Sequence, residues 1–90
     1  MGSVSCVQEA MRLAFYERNH NRGIYATFAW LVEEVGELAE ALLKGDRRMI
    51  EEEIADVIAW ALSIANLAGV DAYRALKKKY GRELERAGCG

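Results

Sequence analysis

Two short runs hold the residues best suited to chemistry. Residues 33–37 read EEVGE and residues 52–56 read EEIAD, each with two acids, two spacers and a third acid. Both lie inside apolar, helix-like sequence. At about 100° per residue, Glu34 and Glu37 fall beside the apolar stripe of their helix, whereas Glu33 and Glu40 point farther out. Glu53 and Asp56 border the stripe of the next helix in the same way, and Glu51 faces away. Either run alone fits a solvated helix face. Brought together, four carboxylates repel one another unless a cation joins them. Oxygen-only ligands suit a hard divalent cation, Mg²⁺ or Mn²⁺, better than zinc.

Such a cage needs two helices in register, and the punctuation of the chain supplies them. A first helix is expected from Val4 to Arg18, with Ser3 as N-cap and a stop at the polar stretch 19–23. A second runs from Tyr25 to Lys44 and ends at Gly45. Asp46 caps a third, which continues to Ala68 and ends at Gly69, and Asp71 caps a fourth from Ala72 to Arg86. With only Gly45 and Asp46 between them, the second and third helices should form an antiparallel hairpin. Phe28, Leu31, Val35, Leu38 and Leu42 make the core stripe of one. Ile50, Ile54, Val57, Ala61 and Ala65 make that of the other. Trp30 and Trp60 each lie one turn from the acids. Gly36, in a helix interior, either permits close helix approach at the acids or is merely tolerated.

Composition agrees with an all-α chain. The 90 residues include no proline, and 52% are apolar. That length implies one domain, 1–90, a four-helix, bundle-like unit. A domain this small buries only around two thirds of its unfolded surface, so completion by a homodimer or a dimer of dimers is expected. The net charge of −2 hides an uneven distribution: residues 33–56 carry a net −6 and residues 74–86 a net +4. An acidic centre followed by a basic tail suits a metal and its anionic ligand. The same acidic centre argues against nucleic acid as a partner. No apolar run approaches the roughly 20 residues that span a bilayer, so no membrane role is expected. Cys6 and Cys89 have no metal-ligand spacing and read as free thiols of a reducing cytoplasm.

With the acids in register, the chain resembles the MazG-like group of all-α nucleoside triphosphate pyrophosphohydrolases. These carry EExxE followed by ExxD; here Glu33, Glu34 and Glu37 match the first, and Glu53 and Asp56 the second, with fifteen residues between. The likeness runs through WLVEEVGELAEALLKGD, EEEIADVIAWAL and AGVDAYRALKKKY. It implies hydrolysis of a nucleotide between its α and β phosphates, giving a monophosphate and pyrophosphate. It assigns Mg²⁺ to Glu34, Glu37, Glu53 and Asp56, and leaves Glu33 as an outer or water-activating group. Lys79, with Arg82 second, is implied for the leaving pyrophosphate, although Glu83 and Leu84 stand where relatives often carry further Arg. Trp30 and Trp60 are candidates for the nucleobase, as are Tyr16, His20 and Tyr25, which lie where relatives recruit base contacts.

Three rival readings remain at this point. Glu17-x-x-His20 has the spacing of half a di-iron site, but His20 is the only histidine. Phosphoribosyl-ATP pyrophosphohydrolase is a closer rival, a small relative of similar length with similar acids, yet it usually places a lysine before the paired Glu, where this chain reads FAWLVEEVGE. The third is a non-enzymatic helical interaction module.

Overall fold

A computed structural model describes residues 3–89; the first two positions and the last one of the expected domain lie outside it. Among the described residues the protein is all-helical, with four α-helices and no strand. They are α1 (Val4–Arg22), α2 (Ile24–Lys44), α3 (Arg47–Ala68) and α4 (Ala72–Arg86).

Three of the four starts are set by caps foreseen from the sequence, whereas α2 begins at Ile24, directly after Gly23 and without a side-chain cap. The Ser3 side chain accepts from the Cys6 N–H, Asp46 from Met49 and Asp71 from Arg74, satisfying donors that have no partner within the helix. Gly45 closes α2 at φ 67°, a left-handed conformation that glycine adopts without steric cost. One boundary differs from expectation. Helix α1 does not stop at Arg18 but continues through Asn19, His20, Asn21 and Arg22. The break comes at Gly23, with φ 98° and ψ 154°, a region essentially reserved for glycine. Thr27 then ties the junction, its hydroxyl donating to the Gly23 carbonyl at 2.8 Å. Asn19 and Thr27 are fully buried, so Asn19 anchors the polar stretch as helix and not loop, while His20 and Asn21 stay exposed.

The largest helix–helix contact is α2 with α3, followed by α1 with α3. The chain bends by 110° between α3 and α4, and α4 makes its main contact with α1. Gln8 locks that corner. Its side-chain amide donates to Asn66 Oδ1 and to the Val70 carbonyl, while its own carbonyl oxygen accepts from the Ala72 N–H. Asn66 returns a bond to the Gln8 backbone carbonyl.

The expected core stripes are only half enclosed. Leu31, Leu38, Ile50, Val57 and Ala65 are partly buried, but Phe28, Val35, Leu42, Ile54 and Ala61 are exposed. The inward face of α2 instead follows Thr27, Leu31, Glu34, Leu38 and Ala41. The helix is therefore turned so that Glu34 faces in and part of the apolar stripe faces out. Ala41 and Leu62 are the buried apolar residues among those described. An added Cβ at Gly36 would meet nothing within 4 Å, so Gly36 serves no close approach within one copy.

Candidate active and metal site

The α2–α3 contact brings the two acid runs together. One carboxylate oxygen from each of Glu34, Glu37 and Glu53 lies within 4.8 Å of the others. Asp56, one turn beyond Glu53, is near enough for its charge to act on Glu34. Glu34 and Glu53 are partly buried, and each has an Oε2 atom shut off from solvent with no hydrogen-bond partner. Burial pushes the Glu34 carboxyl up to about 8. Carboxyl–carboxyl contacts with Glu53 and Glu37 push the same way, as do the charges of Glu37 and Asp56. Each favours the protonated acid.

Other acids of the hairpin region are spent differently. Glu40 pairs with Lys44, Glu51 with Arg47 and Glu52 with Arg48, all exposed i, i+4 pairs of small energetic weight. Among the described residues the clustered acids take no base as partner. Orphaned, buried carboxylate oxygens beside further carboxylates are what a hard divalent cation satisfies, so the residues present fit such an ion. Glu33 is exposed, next to the cluster in sequence but outside the group of three.

A second layer lies one turn farther from the Gly45 turn. Trp30 and Trp60 stack with ring centroids 6.2 Å apart and planes 11° from parallel. The Arg22 guanidinium sits 5.7 Å from both rings, and Arg18 sits 4.6 Å from Phe15 and 6.0 Å from Trp60. Both tryptophans anticipated from sequence are thus beside the acids. His20 and Tyr25 are not in this layer by any contact seen: His20 stacks on Tyr16 at 5.6 Å, and Tyr25 is highly exposed. With Glu17, His20 joins no group of three ligand side chains among the described residues, so the di-iron arrangement gains nothing.

Lys79 and Arg82 lie on α4, lining a cleft with Lys77, Lys78, Gly81 and Glu83. The helix kinks at Tyr80 (φ −120°, ψ 27°), between the two cations. Lys79 Nζ lies 5.5 Å from the Tyr80 ring. The structure gathers the carboxylates and the tryptophans, then, and keeps these two cations on a different element.

Arg18, Arg22, Phe15 and Met11 were not anticipated. Their spacing, 11-15-18-22, is that of one helix face; the first three fall within the helix expected from sequence, and Arg22 joins them once α1 continues past Arg18.

The family model of the MazG nucleotide pyrophosphohydrolase domain matches residues 22–84. A curated protein of Cyanophage S-2L, a dATP/dGTP diphosphohydrolase, is 35% identical over 77 residues, covering 86% of this chain and 70% of that relative.

Proposed function

Because this chain belongs to the MazG nucleotide pyrophosphohydrolase family and is a hydrolase of that kind, we propose that it cleaves nucleoside triphosphates between the α and β phosphates. The products are a nucleoside monophosphate and pyrophosphate. The observation that carries this reading is the convergence of Glu34, Glu37 and Glu53 with unpartnered buried oxygens on two of them. A purine deoxynucleoside triphosphate is the first substrate to try, since the phage relative is named for dATP and dGTP.

Glu34, Glu37, Glu53 and Asp56 would hold Mg²⁺, with Mn²⁺ as a substitute. When bound, the cation supplies neutralisation of the triphosphate oxygens that otherwise repel an incoming water. The acids hold their positions through α2 and α3, and burial of Glu34 and Glu53 keeps competing water from their inner oxygens. Glu33, exposed beside the cluster, accepts the proton of the attacking water. Trp30 and Trp60 border the nucleoside, with Arg22 against their rings. Lys79 and Arg82 neutralise the leaving pyrophosphate, and His20 lies at the base end; these three rest on the family resemblance.

The working unit in this reading is a single domain over residues 1–90, built on an antiparallel α2–α3 hairpin and completed by a second copy or by a dimer of dimers. Its support is surface. The chain exposes 6745 Å², whereas a folded monomer of this mass exposes about 5,300 Å². The excess is of the size buried per subunit in obligate homodimers, about 1,000–2,500 Å². Exposed apolar side chains available to such an interface include Phe28, Val32, Val35 and Leu42 of α2, and an apolar groove is lined by Val4, Val7, Val57, Ile58 and Leu76. Among the described residues no single helix is long and apolar enough to cross a membrane. The free, exposed Cys6 and Cys89 suit a reducing cytoplasm, and no nucleic acid is needed as partner.

The test is product analysis across nucleoside triphosphates and phosphoribosyl-ATP, with Mg²⁺ or with EDTA. Mg²⁺-dependent pyrophosphate release from triphosphates is expected. Turnover of phosphoribosyl-ATP alone would move the protein to that relative, and silence from folded protein on every substrate would leave an interaction module.

A further inference from the structure

A cavity of about 220 Å³ opens between α1 and α3, lined by Met11, Phe15 and Arg18 on one side and by Asp56, Trp60 and Ser63 on the other. It is smaller than the roughly 300–1,000 Å³ of pockets that enclose drug-sized ligands, so it suits one ring system and not a whole nucleotide. Asp56 belongs both to this cavity and to the acidic cluster. Whatever fills the cavity is therefore held next to the phosphates that the cluster would bind.

The walls select for a flat, aromatic guest. Phe15 and Trp60 contribute aromatic rings to the lining, and Met11 is a pliable apolar neighbour. The polar features are few. Ser63 donates its hydroxyl hydrogen to the Ala59 carbonyl at 2.9 Å, which leaves its oxygen as an acceptor. Among the described residues Arg18 makes no ion pair and no hydrogen bond; it contacts the Phe15 and Trp60 rings, at 4.6 and 6.0 Å from the guanidinium carbon. Cation–π contact holds the head group without using the donors of its planar fork. An exposed guanidinium resting on aromatic rings, with its N–H groups unclaimed among the described residues, is suited to read two adjacent acceptors.

Resting on the pyrophosphohydrolase reading above, we infer that Arg18 is a specificity residue that selects guanine, by paired hydrogen bonds to O6 and N7. Guanine presents both atoms as acceptors, and arginine's fork matches them. Adenine presents N7 beside an N6 amino donor, which opposes the donors of Arg18. The base lies against Trp60 while the sugar and triphosphate leave toward Asp56. The Arg18–guanine pair then decides which purine is turned over, and the carboxylates act on whichever triphosphate is seated.

Atomic substitution in the base, combined with substitution of Arg18, tests this. kcat/KM is measured for dGTP, dITP, 7-deaza-dGTP and dATP on the native protein, Arg18→Lys and Arg18→Met. In the native protein dGTP and dITP, which keep O6 and N7, are expected to exceed 7-deaza-dGTP and dATP by on the order of tenfold or more. In Arg18→Met that gap closes. Arg18→Lys keeps the charge but not the fork, so most of the gap closes there too. A purely structural Arg18 would lower all four substrates alike and leave the ranking intact. An unchanged ranking in Arg18→Met, or no preference for dGTP over 7-deaza-dGTP in the native protein, overturns the inference. If neither variant folds, the native comparison of dGTP with 7-deaza-dGTP still decides it. If no triphosphate is hydrolysed at all, the proposed function fails separately. Quenching of tryptophan fluorescence by dGMP but not by dAMP, lost in Arg18→Met, then reports on the pocket alone, and equal quenching by both nucleotides sinks it.

Discussion

At the scale of single residues, the acidic cluster is strained by its own charge. Glu34 holds its proton up to about 8 in the metal-free protein, well above an unfolded carboxyl at about 4.3. Between those values the folded state binds more protons than the unfolded one, so stability is fullest at low pH and falls as pH rises toward 8. Thermal unfolding in EDTA should therefore show a lower midpoint at pH 8 than at pH 5. A divalent cation replaces that proton, so its stabilising effect should grow over the same interval and its binding should release protons to the buffer. Calorimetry in two buffers of different ionisation enthalpy measures the release. Glu53→Gln removes one ligand and one repulsion together. It should raise the metal-free midpoint yet cut Mg²⁺-dependent turnover by about a hundredfold or more, and full turnover in Glu53→Gln or Asp56→Asn would refute the metal site.

At the scale of elements, two junctions decide where the site residues sit. Gly23 ends α1 in a backbone conformation closed to other residues, and nothing lies within 4 Å of where a Cβ would stand. Gly23→Ala should thus cost about 1–3 kcal/mol through backbone strain alone, measured by denaturant unfolding. The misplaced end of α1 has a physical explanation. Asn and His are weak in helix propensity, and Asn also bonds its own backbone in turns, so the run Asn19-His20-Asn21 reads locally as a helix end. Here burial of Asn19 and the Thr27–Gly23 bond override that local preference. At the other corner, Gln8 bonds Asn66, Val70 and Ala72 at once. Gln8→Leu would leave the Ala72 N–H and the Asn66 side chain without those partners, and should destabilise by about 1–3 kcal/mol.

At the scale of the whole molecule, a single copy is open. Phe28, Val35 and Leu42 form an i, i+7, i+14 row, about half exposed at 51%, 48% and 58%, in register with one side of a helix. The pairing of these surfaces predicts that Val35→Asp shifts the protein toward monomer in sedimentation and lowers its thermal midpoint. A monomeric native protein would contradict the assembly proposed here.

Much was legible before any coordinates. Local chemistry set the helix caps at Ser3, Asp46 and Asp71, the turn at Gly45, and the two acid pairs with a tryptophan one turn from each, because these depend on residue type and on spacing of a few residues. Even the choice of Glu34 and Glu37 over Glu33 followed from the helical period. Tertiary structure alone decided which way α2 turns, with Glu34 inward and Phe28, Val35 and Leu42 outward. It also decided that α1 reaches Gly23, which carries Arg22 onto Trp30 and Trp60, and that α4 leans on α1. The reason is range. A helix wheel fixes angles within one element, but the rotation of one helix against another is set by side chains that meet only after the chain has folded.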